Sequence, residues 1–185
     1  MTNSIRPTTK DAILEAAFAV FSGDASASLS EVAERAGVGR ATLHRHFSSR
    51  ETLVRELARV AIEEMDEVVE TACRNVASYS EAMRISLEVL IPLGDRHGFL
   101  AMEPVDDDPD LLAEFERQRK ETEEMVEAVK REGLLDVSVP TAWIVQAYDH
   151  LLYAGWESVK AGQATPTQAA DLAWRTLTTG LGAQS

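Results

Sequence analysis

The segment Gly37–Leu53, GVGRATLHRHFSSRETL, carries Arg40, Arg45 and Arg50 together with His44 and His46, in a chain of 185 residues whose formal net charge is −13. Cations gathered in one short segment are the chemistry of anion binding, and guanidinium groups in particular suit the phosphates and guanine edges of nucleic acid. The charge is unevenly spread. Residues 1–60 hold eight Lys and Arg against seven Asp and Glu, a balance of +1, so the remainder carries −14. The pattern implies an anion-facing N-terminal module on an acidic body. Acids that merely keep the body soluble explain the −14 as well, but not the cluster at residues 40–50.

Other chemistries find little to work with. Cys73 is the single cysteine, so it forms no internal disulfide, and no Cys/His zinc spacing surrounds it. Its neighbours Val69, Ala72 and Val76 predict a buried, inert thiol. There is no phosphate-cradling glycine loop, no HExxH and no supported Ser/His/Asp constellation, and the terminal GLGAQS lacks the strand–turn–helix setting of a dinucleotide fingerprint. No enzyme and no cofactor are expected. Glu103, Asp106, Asp107, Asp108 and Asp110 could coordinate a cation through oxygen. They fit better as a solvated connector and a helix N-terminus, where acid favours the dipole, so no metal is expected. The N-terminal MTNSIRPTTK has no apolar signal-peptide core, and no apolar run approaches the ~20 residues that span a bilayer. The expected location is the cytoplasm, with no membrane partner.

The elements that must position the cations are helices. Alternating β-branched runs and Asn-Gly or Asp-Gly hairpin turns are missing, and all six prolines fall between helically periodic segments. A first helix runs from about Thr9 to Phe21. Ser28 with Glu31 forms a capping-box pattern opening a short helix to about Arg35. Gly37 suits a left-handed C-terminal turn, and a third helix covers Arg40–Phe47. Ser48 or Ser49 caps a long fourth helix reaching towards Val76. A helix stopped at Pro92, a short irregular element around Arg96–Met102 and an acidic connector follow. Asp108 and Pro109 start a long helix ending near Gly133, and Pro140–Ala161 and Pro166–Leu181 complete an all-α chain.

A short helix, a glycine turn and a second short helix make a helix-turn-helix, whose second helix can enter the major groove. Leu43 and Phe47 are apolar and one turn apart, so they should face Phe18, Phe21, Val32 and Ala33. Arg40, Ala41, His44 and Arg45 then point outward, with Thr42 and His46 at the edges. On charge alone, a solvated helix with ordinary surface arginines is the alternative. Residues 9–57, through ILEAAFAVF, LSEVAERAGVGRATLHRHF and SSRETL, resemble the DNA-binding domain of the TetR family of transcriptional regulators. Four positions depart from the usual pattern: Gly39 replaces a serine-like cap, Ala41 a glycine, His44 a tyrosine and Arg50 a lysine. The resemblance implies Arg40, Ala41 and Arg45 near bases. It implies Thr42, His44, His46 and Arg50 on phosphates, with Ser28 or Ser30 assisting from the preceding helix.

The resemblance further implies a helix-turn-helix domain at residues 1–52 and a helical effector-binding and dimerisation domain at 53–185. Its partners would be a palindromic double-stranded DNA operator, a small-molecule effector and a second copy of the chain. The last two helices supply small residues for an interface: Ala147, Leu151, Ala154 and Val159 on one, Ala169, Ala173, Thr176, Leu177 and Gly180 on the other. Phe99, Met102, Phe115, Met125, Trp143, Tyr148, His150, Tyr153 and Trp156 mix aromatic, thioether and polar groups as an apolar or aromatic effector requires; the competing reading is that they are core. The expectation is a repressor released from its operator by such an effector. The alternative is a DNA-binding regulator without a small-molecule effector, controlled by a protein partner.

Overall fold

Unsatisfied backbone groups at helix ends determine where most elements of this chain begin and stop. The computed structural model describes residues 8–102 and 108–180, the side chains of His97, Ala101 and Met102 excepted. Among these residues the chain forms α1 (Thr9–Phe21), α2 (Leu29–Arg35), α3 (Arg40–His46), α4 (Arg50–Cys73) and α5 (Tyr79–Leu90). A 3-10 turn (Ile91–Leu93) leads into α6 (Gly94–Met102), followed by α7 (Pro109–Arg131), α8 (Thr141–Lys160) and α9 (Pro166–Thr179). Thr8, Ser28 and Thr165 close reciprocal capping boxes with Asp11, Glu31 and Gln168. Ser49 and Thr52 exchange amide and hydroxyl bonds at the head of α4. The Asp108 carboxylate accepts the amides of Asp110 and Leu111 ahead of α7. The Glu103–Asp107 part of the acidic connector lies outside the described residues.

The chain divides into two compact units, Met1–Ala61 with Asp95–Leu111, and Ile62–Gly94 with Leu112–Ser185. In the first, Ile13, Phe18 and Phe21 of α1, Val32 of α2, Leu43 of α3 and Leu53 and Leu57 of α4 are fully buried. The segment expected to be irregular around Arg96–Met102 is instead the helix α6, a case of tertiary packing overriding a glycine-rich local sequence. Phe99 drives it. Its ring meets Phe18 edge-on at 5.6 Å and stacks on Phe21 at 6.5 Å. Arg96, buried, lies 4.4 Å over the Phe18 ring and pairs with Glu15 and Asp95.

In the second unit α8 and α9 pack along each other, with α5 against α9. Ala169, Ala170 and Ala173 are buried inside the protomer, so two small residues expected at an interface between copies serve the chain's own core. Side chains press on glycine backbone in the same unit. A Cβ on Gly94 would stand 1.7 Å from Cγ of Trp156, and one on Gly155 would stand 2.7 Å from Cδ1 of Ile91. The Tyr148 hydroxyl donates to the Met83 carbonyl at 3.3 Å. The Glu132 carboxylate accepts the amides of Tyr79 and Ser80 at 2.8 and 2.9 Å, so the end of α7 caps α5. Cys73 is half-buried, its Sγ 3.6 Å from the Ala82 carbonyl oxygen. No helix among the described residues is long and apolar enough to cross a membrane.

Removing a fully buried phenyl ring leaves a cavity that costs about 3–5 kcal/mol. Phe99→Ala is expected to lose stability in this range in denaturant unfolding; an unchanged midpoint would place Phe99 outside the core.

Candidate nucleic-acid interface

The turn between α2 and α3 forms because Gly37 accepts a left-handed backbone, φ 67°, where a side chain would be strained. Its amide reaches the Glu34 carbonyl and the Val38 amide reaches the Ala33 carbonyl, a Schellman closure that ends α2 and turns the chain. Gly39 then caps α3 through its carbonyl alone, accepting from Thr42 and Leu43. Leu43 and Phe47 are buried, while Arg40, Ala41, His44, Arg45 and His46 are exposed and Thr42 is half-buried. The outward set is the one that helical periodicity predicts. No Asp or Glu occurs between Ala36 and Arg50, so the exposed face of α3 carries cations without local compensation from its own segment. Such a surface can hold a polyanion and present arginine to base edges.

Two of the other expected contacts, Arg50 and Ser28, also bond within the protein. Nη2 and Nη1 of Arg50 donate to the carbonyls of Ala25 and Ala27 at 2.6 and 3.0 Å, and its guanidinium lies 4.2 Å over the Phe21 ring. Arg50 therefore fastens the α1–α2 connection to the head of α4. The Ser28 hydroxyl accepts the Glu31 amide and donates to the Glu31 carboxylate at 2.8 Å. Ser28's amide, then its hydroxyl, hold that carboxyl below the usual range. Because the folded value is depressed, this cap is fully present above the ordinary pKa of 4.5 and is lost as pH falls through the lower folded value. Ser30 is half-buried. The capping box at Ser28 was legible in sequence; nothing in sequence signalled the role of Arg50.

The residues expected around an effector are divided between the two units. Phe99 belongs to the core of the first unit. Phe115 and Met125 are half-buried on α7 and Trp156 is buried on α8, all in the second unit. Trp143, His150 and Tyr153 share the exposed side of α8, with Trp143 68% and Tyr153 47% exposed. The Met102 side chain lies outside the described residues.

The sequence pattern of bacterial regulatory proteins of the tetR family matches residues 13–57. The chain is 32% identical, over 95% of its length and 92% of the relative's, to the HTH-type transcriptional repressor LfrR of Mycolicibacterium smegmatis. Among solved structures it is similar to the TetR-like transcriptional regulator LfrR from Mycobacterium smegmatis in complex with proflavine. That match has 32% identity and a TM-score of 0.76, covering 95% of this chain and 97% of that one. The fold alone is shared with the TetR family transcriptional regulator PfmR from Thermus thermophilus, at 21% identity and a TM-score of 0.70 over 96% and 100% of the two chains.

Charge-assisted hydrogen bonds of the kind Arg50 makes are each worth about 1.5–3 kcal/mol. Arg50→Ala is expected to lower the thermal midpoint by several degrees, and Arg50→Lys to recover only part, since an ammonium cannot span two carbonyls as a planar fork does. An Arg50→Ala protein as stable as the parent would show that the clamp is idle.

Proposed function

Because the chain belongs to the TetR family of bacterial regulatory proteins, a family of transcriptional regulators and not of enzymes, we propose that it is a repressor held on a two-fold symmetric DNA operator and released by a small, largely apolar or aromatic effector. The observation that carries the DNA-binding half is the acid-free, exposed cationic face of α3. Arg40, Ala41 and Arg45 meet base edges there, where arginine suits guanine and the Ala41 methyl suits thymine. His44 and His46 lie alongside on phosphates. The acidic remainder of the chain keeps the rest of the surface off the polyanion. The protein works in the cytoplasm, beside the chromosome.

One seven-residue helix buries too little surface for a specific complex, and two copies on successive major grooves, about 34 Å apart, double it. Trp143, His150 and Tyr153 on α8 and Leu172 on α9, all exposed, supply the apolar and small polar groups of a homodimer face. The effector is held by the second unit, which carries Phe115, Met125 and Trp156. Support comes from LfrR, similar over nearly the whole chain, which was crystallised with proflavine. The surplus of acid outside residues 1–60 disfavours a polyanionic effector. Release requires that the effector bind the DNA-incompetent conformation more tightly than the competent one.

In vitro selection from a randomised duplex library is expected to enrich a palindrome, and affinity for it to fall linearly with salt on logarithmic axes. No enriched sequence, or a flat salt response, contradicts DNA binding. Proflavine and other planar aromatic amines are expected to quench tryptophan fluorescence, raise the thermal midpoint and displace the selected duplex. Planar aromatics that bind without displacing DNA, or that do not bind at all, contradict the effector half and leave the DNA half standing.

A further inference from the structure

We propose that Thr42 is a positioning residue whose hydroxyl sets the base-reading conformation of Arg45. The proposal rests on the DNA-binding reading above and says where its sequence specificity is fixed. Nη2 of Arg45 donates to Oγ1 of Thr42 at 3.1 Å, three residues back along α3. Helix side chains lean towards the N-terminus. This bond draws the guanidinium in that direction, towards the end of the recognition helix whose side chains meet base edges. The anchor is stiff, because Thr42 is half-buried and β-branched, with few χ1 wells open to it in a helix. Arginine, by contrast, is among the side chains with most rotamer freedom to lose.

The chemical identity of the anchor separates this arginine from others in the chain. Arg59, Arg96, Arg117 and Arg119 are each held by carboxylates: Glu56; Glu15 and Asp95; Asp66, Glu114 and Glu121; and Glu123. A carboxylate at position 42 would hold Arg45 as firmly but would cancel the charge that a polyanion needs. A hydroxyl occupies one of the five N–H donors and leaves the charge and the remaining donors for a base edge. A bidentate arginine–guanine contact depends on fork geometry, so a pre-set side chain favours the matching base over its competitors rather than strengthening binding to every duplex alike.

The test is a binding series on the selected duplex and its single-base-pair variants, using the wild type, Thr42→Val, Thr42→Ser, Arg45→Ala and the Thr42→Val/Arg45→Ala double variant. Thr42→Val removes the hydroxyl at nearly constant shape. It is expected to reduce preference at one base pair by about three- to tenfold, the same base pair that Arg45→Ala affects. Thr42→Ser should restore the preference, and Thr42→Val should add nothing once Arg45 is gone. Should Thr42→Val unfold, Thr42→Ala serves in the same cycle. Equal weakening on every duplex makes Thr42 a phosphate contact and overturns the proposal. So does a loss that persists in the Arg45→Ala background, or unchanged discrimination. A wild type that selects no duplex contradicts the DNA-binding reading itself and this proposal with it.

Discussion

Burial of Leu43 and Phe47 fixes the rotation of α3, and the candidate interface depends on that rotation. A seven-residue helix is far below the length at which an isolated helix holds together in water, so α3 exists because its apolar stripe is enclosed in the first unit. Once Leu43 points inward, the 100° step of the helix leaves Arg40, Ala41, His44 and Arg45 no direction but outward. The Gly37 turn and the Ser28–Glu31 cap hold α2, against which α3 packs. Arg50 ties the loop before α2 to the head of α4. Fold and site are thus one problem: the groups that could meet an anion are aimed by the packing and the caps behind them.

Electrostatics gives that aim its meaning. In a protein with a formal charge of −13, the easy arrangement is for every arginine to find a carboxylate, and along α7 Arg117 and Arg119 do so. Such exposed pairs add little stability, but they leave no charge to offer. On α3 the pattern reverses. Arg45 is held by a hydroxyl, and the whole stretch from Ala36 to Arg50 lacks acid. The local absence of carboxylates, more than the number of arginines, distinguishes this face.

The parts legible in sequence were those governed by local rules. The caps at Ser28, Asp108 and Thr165, the glycine turn at Gly37 and the apolar register of α1 to α3 all follow from patterns a few residues long. Where a long-range partner decides the outcome, the sequence is silent. Gly94 and Gly98 with the preceding Pro92 read as a break in helical structure. Yet α6 forms, because Phe99 and Arg96 find Phe18 some eighty residues earlier in the chain. An aromatic ring in a core and one in a pocket look alike in one dimension, so the burial of Phe99 in the first unit has no signature in sequence. The clamp made by Arg50, a phosphate contact by resemblance, is hidden for the same reason: its carbonyl partners at Ala25 and Ala27 carry no side-chain signature.

The central claim, that the outward face of α3 is the surface presented to DNA, is tested most directly by hydroxyl-radical footprinting of the protein with and without the selected duplex. His44 and His46, both exposed in the free chain, are predicted to lose most of their oxidation when duplex is added, while Tyr79, 57% exposed in the second unit, stays unchanged. Oxidation of His44 and His46 that is indifferent to bound duplex would contradict the account.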